Sequence, residues 1–131
     1  MGYDVRMMFD PGQEGFWFSQ TGISQVKPAG VRGFLSELEE AMAFIGNDSG
    51  PGHLAAAAGV PTFTIFGNQL PEWFLPVHPL ADHLPGGDCP HKPCFDACRF
   101  PEPHCLLGVG EASVVAAVRR FADRLSELAR G

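Results

Sequence analysis

Positive charge is scarce in this chain of 131 residues: Lys and Arg number 9 against 15 Asp and Glu, for a formal net charge of −6. That balance offers no basic field for nucleic acid or for an anionic bilayer surface, and it argues against nucleic acid as a partner and against strong electrostatic docking on such a membrane. No run of about 18 apolar residues occurs, so nothing in the sequence matches a membrane-spanning helix. The opening segment MGYDVRMMFDPG has no apolar signal core. Internal repeats and low-complexity linkers are missing too. The expectation is a cytoplasmic protein, whose four cysteines are reduced thiols or metal ligands rather than disulfides.

The residues that are present suit a globular domain. A hydrophobic fraction of 45% over this length is enough for one core, while 16 Gly and 12 Pro give much of the chain to loops. Tyr3–Phe9 is expected as a first strand, closed by the turn Asp10-Pro11-Gly12, with a short helix over Glu14–Gln20. A strand over Gly22–Lys27 stops at Pro28. Phe34, Leu38, Ala41 and Met42 have helical spacing, which predicts a helix over Gly33–Met42. Ala43–Gly46 is a short apolar strand. Pro51–Ala58 is a helix with Pro51 in its first turn and Gly59 as its stop. Pro61–Phe66 is a strand buried on both faces. Pro71–Leu75 is a helical turn, Val77–Leu84 fits either class, and Glu111–Ala129 is a helix with Val114, Val118, Phe121, Leu125 and Leu128 on one stripe. Strands alternating with helices predict an α/β fold, a Rossmann-like parallel sheet of about four or five strands flanked by helices. Ligands of such sheets lie beyond the carboxyl ends of the strands.

Asn47-Asp48-Ser49-Gly50-Pro51-Gly52-His53 falls at such an end and opens a helix. Asp48 or Ser49 can cap that helix. Glycines there leave the backbone open, and first-turn N–H groups with the helix dipole form an anion site suited to a diphosphate. No lysine follows in the phosphate-loop pattern, which excludes a Walker-type loop and argues against ATP hydrolysis. The competing reading is a capped helix whose glycines serve only close packing on the sheet.

The run NDSGPGHLAAAAGVPTFTIFG, Asn47–Gly67, resembles the signature of glycosyltransferase family 9, the heptosyltransferase-like family, written D-S-G-P-x-H-L-A-A-A-x-G-x-P and followed by a strand and F-G. FDPGQE resembles the family's strand-2 turn with its G-x-x-E, EWFLPVHP the segment after F-G, and CPHKPCFDACRFPEPHC the cysteine-containing tail before the last helix. The resemblance implies one half of a GT-B fold: residues 1–131 as a single, C-terminal, nucleotide-sugar-binding domain, with a cysteine-rich loop over 85–108 and a C-terminal helix over 111–130. It implies that Asp48, Ser49, Gly50 and Pro51, with Asn47 before them and Gly52 and His53 after, face the donor diphosphate. It implies that Glu14 holds the nucleotide ribose, as a carboxylate accepting two hydroxyls can. His53 is a support residue of the turn rather than a catalyst. The family's catalytic aspartate belongs to an N-terminal domain, so no catalytic residue is assigned in this chain and the chain alone is expected to be inactive. An additional opening strand with phosphate contacts is expected to be missing. Asn68-Gln69-Leu70-Pro71 replaces the family's Pro-Thr-Asp-Pro, which leaves donor preference open.

Cys89, Cys94, Cys98 and Cys105, spaced C-x4-C-x3-C-x6-C, sit in a Pro- and Gly-rich loop with His91 and His104 among them. Four soft ligands in a loop with little core suit a structural tetrahedral zinc. The C-x2-C knuckle usual in zinc sites is lacking. An iron or iron–sulfur centre is the alternative metal, although the spacing matches neither common ferredoxin pattern. Buried thiols acting as small hydrophobes, and disulfides, are the readings without metal. His78 and His83 are expected as loop surface. Trp17 and Trp73 are expected as packing residues, with Trp73 also placed to line a cleft. Glu37, Glu39 and Glu40 read as a solvated helix face.

The sequence therefore predicts the donor-binding domain of an inverting glycosyltransferase that uses a nucleotide-diphospho-sugar such as ADP-heptose, in glycan or lipopolysaccharide assembly. No cofactor is required for the transfer. Its partners would be the donor, an N-terminal acceptor domain or partner chain, and a second copy through an exposed sheet edge. Two alternatives stand beside it: a non-catalytic nucleotide-sugar-binding module, and a small metal-binding protein built on the four cysteines.

Overall fold

A computed structural model describes residues 2–8, 22–92, 94 and 97–131, arranged as two compact units, Met1–Ala41 and Met42–Gly131. The turn expected at residues 10–12, the helix expected over 14–20, Glu14 and Trp17 lie outside the described residues.

In the first unit, β1 (Arg6–Met8) pairs in parallel with β2 (Ser24–Val26), Arg6 against Ser24 and Met8 against Val26. Helix α1 (Gly30–Leu38) starts three residues earlier and ends four residues earlier than its apolar spacing indicates. The early start follows from Pro28, which cannot continue β2, and from Gly30, whose φ of +70° turns the chain into the helix. Leu38 is buried. Glu37 is not simply solvated: its carboxylate pairs with the Arg6 guanidinium at 3.3 Å.

The second unit runs β3 (Phe44–Asn47), α2 (Gly50–Ala57), β4 (Thr62–Ile65), α3 (Pro71–Phe74), β5 (Asp82–Leu84), α4 (His104–Leu107) and α5 (Glu111–Arg130). Its sheet has the order β3-β4-β5 and is parallel throughout. The chain is thus α/β with parallel sheets flanked by helices, as its alternation of elements predicts. Val77–Leu84 resolves into a turn followed by β5, the third strand of this sheet.

Strand β4 is central and buried on both faces. Alternation sends Phe63 and Ile65 to one side, where Phe63 meets Phe121 with ring centroids 5.5 Å apart and Ala117 and Leu125 complete the core. Thr62 and Thr64 point to the other side. Ala117 carries no mark of its own in the sequence, and Leu128, expected on the buried stripe, is exposed because α5 outruns the short sheet it covers.

Helix α2 is short and Ala-rich, and it packs through small groups: Gly52, Ala55 and Ala56 are buried. It ends in a Schellman motif. Gly59, at φ +85°, donates to Ala56 O, and Val60 N donates to Ala55 O, both at 3.0 Å.

Candidate functional site

Parallel strands place the carboxyl ends of β3, β4 and β5 along one edge of the sheet. The glycine turn grows from the end of β3. Asn47 is the last strand residue, and Asp48 N still donates to Ile65 O of β4 at 3.3 Å, which ties the turn to the central strand. Ser49 takes the N-cap position of α2 in fully extended backbone. Its hydroxyl donates backward to Asn47 O at 3.3 Å and makes no capping bond. Of the two residues expected to cap, Asp48 and Ser49, it is Ser49 that holds the N-cap position, but its side chain makes no bond to the helix.

The consequence is chemical. Pro51 contributes no N–H, so the first-turn donors next to the cap are those of Gly50 and Gly52. No acidic side chain lies in this first turn. An anion arriving here meets backbone N–H groups and the positive end of the helix dipole.

The two glycines do different work. A Cβ built on Gly50 meets nothing within 4 Å, and the residue is exposed. On Gly52 a Cβ would touch Pro76 at 3.5 Å and Phe44 at 4.0 Å, and the residue is buried. Gly52 serves the packing of helix on strand, whereas none of the described residues demands a glycine at position 50. Pro51 and His53 are exposed beside it. The residues from Asn47 to His53 are held together as one continuous strand-to-helix junction, while Glu14 lies outside the described residues.

The cysteine loop leaves the carboxyl end of β5 on the same edge of the sheet. It contains a helix the sequence does not announce, α4, seated by close backbone approaches. A Cβ at Gly67 would strike the Leu106 side chain, and one at Gly86 would strike the Gly67 carbonyl, whose carbon lies 2.9 Å from it. Gly87 N donates to Cys105 O at 2.8 Å. All four cysteines are free thiols: Cys105 is buried, Cys89 and Cys94 half-buried, Cys98 exposed. They line one small cavity together with Asn68, which sequence reasoning did not single out. Among the described residues, no group of three or more His, Cys, Asp or Glu is positioned to hold a metal ion.

Compared with known families, residues 31–104, more than half of the chain, match the profile of Glycosyltransferase family 9 (heptosyltransferase). This chain belongs to glycosyltransferase family 9. No curated protein and no solved structure matches it significantly. The family match takes in the whole glycine turn and Cys89, Cys94 and Cys98, and stops just before Cys105. Among the described residues, no helix is long and apolar enough to cross a membrane.

Other side chains of this family 9 domain are placed differently from expectation. Trp73 is 63% exposed rather than packed. The flanking Pro71 and Pro76 keep α3 to a single turn, too short to bury an indole. His83 is not loop surface but a residue of β5, edge-on to Phe66 at 5.9 Å. His78 accepts a hydrogen bond at Nδ1 from Leu80 N at 2.9 Å and so shapes its own turn.

Proposed function

We propose that this chain is the donor-binding part of an inverting glycosyltransferase and takes a nucleotide-diphospho-sugar, ADP-heptose being the type its resemblance implies. The observation that carries this reading is the junction after β3: a helix start in a family 9 segment, with its cap side chain turned away and an exposed glycine that packs against none of the described residues. The N–H groups of Gly50 and Gly52 would cradle the diphosphate, with Asn47, Asp48 and Ser49 forming the wall of the turn. Glu14 would accept hydrogen bonds from the ribose hydroxyls. Pro51 fixes the first turn, and His53 supports it.

In the transfer itself, an acceptor oxygen attacks the anomeric carbon as the bond to the diphosphate breaks. The acceptor proton passes to an aspartate base in an N-terminal domain or a partner chain. Negative charge grows on the leaving diphosphate, and the α2 N-terminus is aimed at that charge. We place the activity in cytoplasmic assembly of a glycan or lipopolysaccharide precursor. The acceptor would be recognised by the partner domain.

Calorimetric titration with ADP, UDP, GDP and ADP-heptose tests the reading, with Glu14→Ala and Gly50→Val measured alongside. One nucleotide is expected to bind, and both variants to lose it. Binding that neither variant disturbs would remove the turn from the site.

A further inference from the structure

The four cysteines pose a problem that donor binding does not absorb. From Gly86 to Gly108, Cys105 is the one buried side chain among the described residues. Among the described residues of this stretch, apolar packing therefore contributes little beyond Cys105. It is fastened at its ends by the glycine approaches of α4 and by the bond from Gly87 N to Cys105 O. Between those ends, Cys89, Cys94, Cys98 and Cys105 line a single cavity of about 20 Å³.

We propose that these four cysteines bind one structural zinc ion as a closed tetrathiolate. Three observations support sulfur as the whole donor set. Asn68, just past the end of β4, donates its Nδ2–H to Cys94 Sγ at 3.8 Å, the kind of outer contact that orients a metal-bound thiolate. All four cysteines are free thiols and can fill a tetrahedral donor set by themselves, while the rings of His91 and His104, which line the same cavity, pack against Phe100 at 5.8 Å and 4.3 Å. Lys92 and Arg99 line the same cavity and offset the double negative charge that a zinc tetrathiolate carries.

The spacing C-x4-C-x3-C-x6-C matches neither common ferredoxin pattern, which favours a single zinc ion over an iron–sulfur cluster. With four sulfurs at about 2.3 Å no position stays open for substrate, so the role is structural. The thiols as they stand do not form a metal-binding group, so binding draws the exposed Cys98 inward toward the other three. The ion then ties the loop after β5 to Asn68 at the end of β4, on the edge of the sheet that carries the glycine turn.

The test uses the full chain, purified with reductant but without chelator, and metal analysis by mass spectrometry. About one zinc per chain is expected, together with the visible bands of tetrahedral thiolate coordination after replacement by cobalt(II). Cys105→Ser can fail by misfolding, since that residue is buried; Cys98→Ser cannot be excused in this way, since Cys98 is exposed. Cys98→Ser is expected to keep the helical circular dichroism and to weaken zinc binding about tenfold or more, and Asn68→Ala to weaken it about tenfold. A protein free of zinc, iron in its place, two disulfides in the intact mass, or a Cys98→Ser variant with unchanged zinc affinity would each overturn the proposal.

Discussion

Replacing Gly50 separates a ligand site from a packing device, because the fold and the ligand predict opposite signs. Gly50 is the first residue of α2, and a Cβ there meets nothing within 4 Å. Its φ is not in the left-handed region, since the positive-φ glycines among the described residues are Gly22, Gly30 and Gly59. For the fold alone, Gly50→Ala removes backbone entropy from the unfolded chain and adds no clash. Stability is expected to stay level or to rise by up to ~1 kcal/mol. For a diphosphate the same methyl group stands where its oxygens must approach. Losing one hydrogen bond from a backbone N–H to a charged group costs about 1.5–3 kcal/mol, which is roughly 10- to 100-fold in affinity. Gly50→Val enlarges the obstruction and is expected to abolish binding. Thermal unfolding reads the first effect and calorimetry with the preferred nucleotide reads the second. The reasoning is refuted if Gly50→Ala binds nucleotide as tightly as the parent, or if it destabilises the fold by more than ~1 kcal/mol.

Further outcomes follow from the same geometry. Glu14→Ala should weaken nucleotide diphosphate binding roughly 10- to 100-fold while leaving inorganic diphosphate binding unchanged, because only the ribose contact is removed; equal losses for both ligands would contradict this role. Phe121→Ala removes a ring that is 1% exposed and packed on Phe63, and should cost ~3–5 kcal/mol in urea unfolding. Thr62 Oγ1 is buried without a hydrogen-bond partner among the described residues, so Thr62→Val should leave stability unchanged or raise it by about 1–3 kcal/mol; a clear loss would reveal a partner for the hydroxyl. Gly86→Ala drives a Cβ into the Gly67 backbone, which cannot swing aside as a side chain can, and should destabilise by at least ~1–3 kcal/mol, opposite in sign to Gly50→Ala.

Much of this protein is local chemistry, and local chemistry is legible. The apolar run at Phe44, the Thr/apolar alternation of Thr62–Ile65 and the apolar stripe of Glu111–Arg130 each carry their own period. The junction Asn47–His53 is contiguous in sequence, so its place at a strand end and a helix start needs no long-range contact to be seen. Errors concentrate where an element is defined by something distant. Strand β5 has only three residues and exists because β4 offers a free ladder beside it. Helix α4 is a single turn that stands because glycines at 67, 86 and 87 let backbones touch. Leu128 has the right spacing for the core but no sheet beneath it.

By itself, the sequence determined the α/β class, the stop of α2 at Gly59 and the family 9 signature across the glycine turn, because each is written in residues that act on near neighbours. Tertiary structure alone decided which of two chemically identical glycines is open. Gly50 and Gly52 are both small and both lie in the first turn of α2, yet Phe44 and Pro76 close over one and leave the other exposed. It also decided that Ser49 turns its hydroxyl back to the strand, and that four cysteines spread between positions 89 and 105 share one cavity with Asn68. Such facts depend on where separate segments meet in space, and spacing along a chain does not encode that meeting.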